Sequence, residues 1–244
     1  MRRRRHFPSN CVYEITLRVR EGLPFPPKRL VELLLKSSLA RTQRDFKVTL
    51  CHFLLMSNHA HIMVVGRDAD QLTRFYGEVQ KRITDHFKRL LGKRPLSLWE
   101  GEPSVILIAD FEAALNRIAY YYVNPAIANL TDRIEDYPGF SSFHIFRSAL
   151  SQMDYAWSEN VPWVRCPSIP KAPWRHLSVR QDERIANKLE EGNKIIEDLI
   201  IQPHLWLSCF NAESPQTISE ASVRIVEKVS RHCSQPGRAV SNGG

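Results

Sequence analysis

The stretch FKVTLCHFLLMSNHAHIMVV, residues 46–65, is the part of the sequence that most directly predicts the fold. Residues 46–55 are rich in apolar side chains, and residues 60–65 form a second apolar run, so each is typical of a strand. Ser57 and Asn58, between the two runs, are of the types that favour tight turns. The stretch therefore predicts two consecutive strands joined by a turn.

The segments on either side alternate between strand and helix patterns. Residues 12–19 are strand-like, residues 28–40 place leucines at helical spacing, and residues 71–91 have the spacing of an amphipathic helix. A short strand at 105–108 and a helix at 110–122 follow, and Asp110 is a suitable N-cap for that helix. The order β-α-β-β-α-β-α predicts an α+β fold with a ferredoxin-like antiparallel sheet covered by helices on one face.

The composition changes after residue 146. Residues 1–9 are a basic tail expected to be disordered, 10–146 hold the predicted sheet and helices, 147–235 form an extension, and 236–244 are a second disordered tail. The extension is at first rich in proline and tryptophan, as in an irregular segment over the core, and then has helical patterns at 179–201 and 218–233. A core domain with a mainly helical C-terminal extension is therefore predicted.

The chain is basic and otherwise ordinary in composition. Its 244 residues include 34 Lys and Arg against 26 Asp and Glu, a formal net charge of +8, and its 43% of hydrophobic residues is typical of a globular protein. A basic field of this kind most often serves an anionic polymer, so nucleic acid is the first candidate partner. A membrane surface is the second, but no amphipathic basic helix with a Trp and Leu face supports it.

Two segments concentrate the basic residues. The first comprises Arg2, Arg3, Arg4 and Arg5, and the second, on or just after the helix at 71–91, comprises Lys81, Arg82, Lys88, Arg89, Lys93 and Arg94. The first block is either a solvated tail or a contact for phosphates. The second lies on the solvent side of the amphipathic helix, where such residues often only stay hydrated. Both blocks, apart from Lys93 and Arg94, are candidate DNA-binding residues.

The sequence carries no sign of membrane insertion or secretion. No apolar run approaches the roughly 18 residues that span a bilayer, and the arginine-rich start is not followed by the apolar stretch of a signal peptide. The five cysteines are scattered and form no C-x-x-C pair typical of a zinc ribbon. We expect a bacterial protein of the cytoplasm, associated with the nucleoid, with no membrane partner and with reduced cysteines.

His59 and His61 are the first candidate functional residues. They stand two apart on a predicted strand, so both side chains point to one face, and two imidazoles there can reach one metal ion or one phosphate. An H-x-H pair on an apolar strand is also typical of partly buried, hydrogen-bonded histidines with no further role. The motif by itself leaves both interpretations open.

The string NRIAYYYVNP contains the second candidate site. Tyr120 and Asn124 are four apart near a helix end predicted at Pro125, and that spacing puts them on one helix face. At about 100° per residue, Tyr122 falls on the core stripe, whereas Tyr120 falls on the largely opposite, polar stripe. Tyr121 is intermediate and a lesser candidate. A phenol outside the core is either an ordinary surface aromatic or part of a site.

Four strings together resemble the ordered motifs of one protein family. MSNHAHIMV, LWEGEP, the Y-x-x-x-N-P of residues 120–125 and DYPGFSSF follow one another as in the REP-associated tyrosine transposases. These are IS200-like transposases of the HUH single-strand endonuclease superfamily, named for two histidines that flank a hydrophobic residue. The resemblance spans approximately residues 10–146 and implies the HUH endonuclease fold and a transposase catalytic domain there.

The resemblance also implies roles for individual residues. His59 and His61 match the metal-binding pair, Tyr120 matches the nucleophile, and Asn124 matches a polar residue implied to be a third metal ligand. Two imidazoles alone suit zinc or copper better than magnesium. The family's metals are Mg²⁺ or Mn²⁺, which phosphate oxygens, water and an amide oxygen would suit.

The implied reaction is a strand transfer. Tyr120 attacks a phosphodiester of single-stranded or hairpin DNA, leaving a 5′-phosphotyrosine and a free 3′-hydroxyl, so that the strand can be rejoined elsewhere. Phenols ionise near pH 10, so the nucleophile needs activation by the metal or by a neighbouring base, which the sequence does not identify.

Two other functions remain open from the sequence. A domesticated DNA-binding protein, such as a repressor, would keep the basic surface without cutting. A small phosphoesterase or RNA-processing enzyme would use the H-x-H pair, with Tyr120 incidental. The intact His59, His61 and Tyr120 favour the transposase-type interpretation over the repressor. The sequence permits a homodimer without requiring one.

Overall fold

The computed structural model of the protein describes residues 8–21, 25–92, 95–150, 152, 155–164, 178–192 and 195–233. Residues 2–5, 93, 94 and 236–244, and most of the proline- and tryptophan-rich segment, lie outside these ranges. Six strands in the described ranges form one sheet in the order β4-β1-β3-β2-β6-β5. They are β1 (Cys11–Arg18), β2 (Thr49–Leu55), β3 (His59–Gly66), β4 (Ser104–Leu107), β5 (Trp157–Pro162) and β6 (Ile196–Ile201).

The two strands expected from residues 46–65 lie in the middle of the sheet. β2 and β3 pair antiparallel, with a register shift after Leu50. The backbone N–H of Met56 donates to the carbonyl of His59 at 2.8 Å and closes the turn that contains Ser57 and Asn58. β3 also pairs antiparallel with β1, so it has a strand on each side. The predicted strand, turn and strand are confirmed.

Six α-helices and two short 3-10 helices accompany the sheet in the described ranges. The α-helices are α1 (Arg29–Phe46), α2 (Ala69–Leu91), α3 (Phe111–Ile127), α4 (Phe143–Ser148), α5 (Val179–Glu191) and α6 (Pro215–Cys233). The 3-10 helices are Ile134–Asp136 and Leu205–Phe210. None of the helices in the described ranges is both long and apolar enough to cross a lipid bilayer.

The helices lie on both faces of the sheet, which differs from the predicted single covered face. Residues of α1 and α2 pack on one face with Tyr13, Ile15 and Leu17 of β1. Residues of α3, α4 and α6 pack on the other face with Val12 and Met63. The central strands also bury apolar residues on this second face, among them Cys51 and Leu54, so a second helical layer is needed to keep water off them. The α+β class itself is confirmed.

Residues 179–201, predicted as one helix, form a helix followed by a strand. α5 ends just before Gly192, and β6 follows. Leu199 and Ile201 are fully buried, whereas Ile200 between them is exposed, and this alternation has the period of a strand. The prediction was wrong because a short apolar run after a real amphipathic helix continues the helical spacing by chance.

β6 joins the extension to the core sheet. It pairs in parallel with β2, with Ile201 opposite Leu50. The side-chain amide of Gln43 on α1 donates to the carbonyl of Ile200 at 2.7 Å and accepts from its N–H at 2.9 Å. β5, from the segment expected to be irregular, pairs antiparallel with β6 at the edge. The sheet is therefore mixed, and the extension contributes two strands as well as helices.

α3 continues past Pro125, at which the sequence predicted its end. Asp110 caps the first turn as predicted, since its side chain accepts from the backbone N–H of Ala113 at 2.7 Å. Pro125 lies in the last turn, where the missing N–H removes a single bond of the helix. The N–H of Ala128 still donates to the carbonyl of Asn124 at 2.9 Å, which completes the turn.

Candidate active site

His59 and His61 lie on β3 with their rings close together on the face of the sheet that α3 covers. The ring centroids are 4.8 Å apart and the ring planes are nearly perpendicular, at 87°. Nε2 of His59 lies 3.2 Å from Nδ2 of Asn124, and Nε2 of His61 lies 3.3 Å from the same atom. The two imidazoles and the Asn124 carboxamide therefore meet at one point between β3 and α3.

The opposite ring nitrogens are held by oxygen acceptors. Nδ1 of His59 is 2.7 Å from Oδ1 of Asn58, and Nδ1 of His61 is 2.9 Å from Oε1 of Glu14. An amide oxygen and a carboxylate accept hydrogen bonds, so each Nδ1 carries the proton and each Nε2 presents a lone pair. Burial, followed by the neighbouring His61 and Arg18, lowers the pKa of His59 to about 4. His59 is therefore neutral at physiological pH and able to act as a ligand.

This arrangement fits a divalent metal ion. Metal-binding histidines usually donate their second ring N–H to a carboxylate or carbonyl, as His61 does to Glu14. Rotation of the Asn124 amide by half a turn exchanges Nδ2 for Oδ1 and presents an oxygen to both Nε2 atoms. The described residues contain no group of three His, Cys, Asp or Glu side chains that could hold a metal. A metal ion bound by protein atoms here would thus take the amide oxygen as its third ligand.

The three consecutive tyrosines have three different environments. Tyr120 is 39% exposed, and its ring centroid is 5.7 Å from that of His61. Tyr121, expected to be intermediate, is fully buried and stacks on the His61 ring at 5.2 Å, and burial raises its pKa well above the ordinary value. Tyr122 lies in the core as predicted, with its hydroxyl 2.7 Å from Nδ1 of His52. Tyr120 is the phenol that combines access to solvent with proximity to the histidine pair.

β1 supplies site residues that the sequence did not single out. Glu14, Thr16 and Arg18 alternate along the strand, and Thr16 and Arg18 are paired in register with His61 and His59. Oγ1 of Thr16 lies 3.3 Å from Nδ1 of His61. Glu14 is almost completely buried, which is unusual for a carboxylate without a partner or a role. The signal by which the sequence could have identified Glu14 is an acidic residue inside an apolar strand.

The basic residues predicted to bind DNA are not gathered at this site. On α2, Arg82 pairs with Glu78 and Asp45, Lys81 pairs with Glu78, and Lys88 pairs with Asp85, while Arg89 is exposed. α2 packs on the face of the sheet opposite to the histidine pair. Arg2, Arg3, Arg4 and Arg5 lie outside the described residues. The structure thus brings together the predicted residues His59, His61, Tyr120 and Asn124, and it separates them from α2.

Comparison with known proteins gives a structural likeness. No protein-family model and no curated protein sequence matches the chain. A solved structure of a REP-associated tyrosine transposase bound to a REP hairpin superposes with a TM-score of 0.52, over 61% of this chain and 86% of that one. The two proteins share a fold. Their sequences are 18% identical, and the mixed sheet with its helices is compatible with the predicted HUH fold.

Proposed function

We propose that this protein is a single-strand DNA endonuclease and strand transferase of the REP-associated tyrosine transposase type, with Tyr120 as nucleophile. The observation that carries the proposal is that the Nε2 atoms of His59 and His61 lie 3.2 and 3.3 Å from Nδ2 of Asn124. This meeting point lies beside an exposed phenol. A lone surface tyrosine or a lone buried histidine pair would have an ordinary structural explanation. Their juxtaposition across two elements supports a common chemical task.

His59, His61 and Asn124 would hold Mg²⁺ or Mn²⁺. When bound, the metal would polarise the scissile phosphate and stabilise its negative charge. Glu14 and Asn58 fix the rings so that both Nε2 lone pairs point to the same place. His59, neutral at physiological pH, accepts the metal without first losing a proton, which favours binding there.

Tyr120 performs the covalent step. Its phenolic oxygen forms a bond to phosphorus, the bond from phosphorus to the 3′-oxygen breaks, and the proton lost by the phenol is balanced by one taken up by the 3′-oxygen. The product is a 5′-phosphotyrosine and a free 3′-hydroxyl, so the number of phosphoester bonds is unchanged. Reversal with another 3′-hydroxyl would then rejoin the strand without an external energy source.

Single-stranded or hairpin DNA is the proposed substrate. The net charge of +8 suits an anionic polymer, and the solved structure with the same fold is bound to a REP hairpin. A tyrosine 39% exposed can meet a flexible strand. Action on DNA would place a bacterial protein of this kind with the nucleoid, and a homodimer is compatible with the proposal.

Trapping a covalent adduct tests the proposal directly. The full chain is mixed with end-labelled single-stranded oligonucleotides that contain REP-like hairpins, in Mg²⁺ or Mn²⁺, and resolved under denaturing conditions. We expect an adduct that forms with the metal, disappears on chelation, and is lost in Tyr120→Phe while DNA binding is retained. The buried neighbour gives the matched control, because Tyr121→Phe should still form the adduct.

The outcomes separate the three functions. Binding without any adduct in the unmodified chain would favour the repressor. Phosphodiester hydrolysis without an adduct, undiminished in Tyr120→Phe, would favour the phosphoesterase or RNA-processing enzyme. Adduct formation by Tyr120→Phe but not by Tyr121→Phe would show that the nucleophile was wrongly chosen.

A further inference from the structure

Arg117 is connected to the candidate site through one buried carboxylate. It lies on α3 three residues before Tyr120, so the two side chains are neighbours on the helix surface. Nε of Arg117 is 3.1 Å from Oε2 of Glu14, and Oε1 of Glu14 is 2.9 Å from Nδ1 of His61. Glu14 thus ties the guanidinium to the histidine pair from the core side of the site.

The Arg117 guanidinium retains donors that the protein does not use. Within the described part of the chain, Glu14 is its one ion-pair partner, through Nε, which leaves the N–H donors of both Nη atoms for another acceptor. The Arg117 side chain is 39% exposed. Arg82, which pairs with Glu78 and Asp45, is by contrast 13% exposed. The exposed end of the Arg117 guanidinium is therefore accessible to an anionic ligand.

We propose that Arg117 is a catalytic residue that binds the non-bridging oxygens of the scissile phosphate. This inference rests on the proposed function and adds a residue to it. A guanidinium is planar and stays charged, and its fork of donors matches two phosphate oxygens at once. Glu14 is a positioning residue, because its ion pair holds Arg117, which lies on the helix face that carries Tyr120.

The contribution of Arg117 follows from where charge lies during the reaction. As the phenolic oxygen of Tyr120 approaches phosphorus, negative charge is spread over the non-bridging oxygens. A donor already held in place stabilises that charge without reorganising during the reaction. The buried carboxylate of Glu14 holds the guanidinium in place through an ion pair at 3.1 Å.

The test compares two substrates that differ at one atom. In the second oligonucleotide, a methyl group replaces one non-bridging oxygen of the scissile phosphate, which removes its negative charge. We expect Arg117→Gln to slow cleavage about a hundredfold on the phosphate and less than about threefold on the methylphosphonate, each relative to the unmodified chain on the same substrate. The measured quantity is the rate at which the 3′-hydroxyl strand is released.

Arg224→Gln is the matched control. Arg224 also pairs with a glutamate of α3, Glu112, at 2.6 Å, and is 41% exposed, but Glu112 lies in the first turn of the helix, away from the histidines. We expect Arg224→Gln to cleave both substrates at the unmodified rate. If Arg117→Gln does not fold, Arg117→Lys keeps the charge beside Glu14 but loses the fork, and it should show a smaller loss that the methylphosphonate also removes.

Each remaining outcome has one meaning. An equal loss on both substrates would make Arg117 a structural partner of Glu14 and overturn the assignment, as would no loss at all. Those results, with an adduct still formed by the unmodified chain, leave the proposed function intact. Absence of the adduct in the unmodified chain defeats the proposed function, and the role of Arg117 with it.

Discussion

His52 and His86 are buried imidazoles that take no part in the candidate site. Burial lowers the pKa of His52 to about 3 and that of His86 to about 4. Nε2 of His86 lies 3.1 Å from the carbonyl oxygen of Val164, to which it donates. Both rings therefore stay neutral in the folded protein at pH values where an exposed histidine is already protonated. Their burial makes the stability of the protein depend on pH.

The direction of that dependence follows from proton uptake. Below about pH 6.5 the unfolded chain binds a proton at His86, whereas the folded protein binds one there only near pH 4. The stabilising effect of the neutral ring is complete above pH 6.5 and is lost as the pH falls towards 4. Between about pH 6.5 and pH 4, one such group changes the free energy of unfolding by about 1.4 kcal/mol per pH unit.

We predict that His86→Gln lowers the slope of the unfolding free energy against pH, between pH 6 and pH 5, by up to about 1.4 kcal/mol per pH unit. Urea unfolding at a series of pH values measures the slope for the variant and the unmodified chain. His144 is exposed, so His144→Gln should leave the slope unchanged. Identical slopes for all three proteins would show that His86 is protonated equally in the folded and unfolded states.

At the scale of elements, β6 shows how tertiary contacts select a strand. Its buried and exposed residues alternate. Ile201 lies opposite Leu50 of β2, the Gln43 side chain of α1 bonds the backbone of Ile200, and β5 pairs along the other side. A helix over the same residues would leave the edge of β2 unpaired. It would also place Leu199 and Ile200 only about 100° apart around the helix axis, so it would not put them on opposite faces as the strand does. The strand is stable here because the edge of β2 pairs with it.

Two neighbouring substitutions test this register. Leu199 is fully buried and Ile200 is 38% exposed, so Leu199→Ala should lower the free energy of unfolding by about 2–5 kcal/mol and Ile200→Ala by much less. Urea unfolding of both variants provides the measurement. Equal losses, or a larger loss for Ile200→Ala, would contradict the strand register.

At the scale of the molecule, the sheet separates the histidine site from the basic helix α2. The site lies with α3 on one face, and α2 with α1 on the other. A short single strand bound at Tyr120 would not reach α2, whereas a hairpin that extends around an edge of the sheet could. Under the proposed function, the number of phosphates that the protein contacts would therefore depend on both faces of the sheet and not on the site alone.

The salt dependence of DNA binding measures the number of phosphate contacts. For single strands, log affinity falls with log salt at a slope of about −0.7 for each phosphate contact. We predict that deletion of residues 2–5 flattens the slope and leaves hairpin preference largely unchanged, because phosphate contacts position DNA and base contacts specify it. A truncation that altered sequence choice at constant slope would mean that the tail reads bases.

The double variant Lys81→Gln, Arg89→Gln tests whether α2 also contacts phosphates. Both side chains are exposed, and the sequence predicts that they contribute to binding. A flatter slope would show that a hairpin reaches the second face of the sheet. An unchanged slope would confine the bound DNA to the face that carries Tyr120.

Local spacing was enough to predict several features of this protein. The two apolar runs in residues 46–65, with Ser57 and Asn58 between them, predicted the central strands and their turn. The H-x-H spacing put His59 and His61 on one face. Helical rotation separated Tyr120 from the core residue Tyr122, and Asp110 was recognised as a cap. These features depend on residues no more than a few turns apart, where backbone geometry determines direction.

Only the tertiary structure decided which faces meet. Glu14 reaches His61 across 47 positions of sequence, and Arg117 joins them from a third element. The same holds for β6, whose strand form depends on the edge of β2, and for α3, which covers a second face of the sheet. Spacing within an element determines the direction of a side chain relative to its own backbone. Its partner depends on how distant segments pack to bury their apolar faces together, which no local pattern encodes.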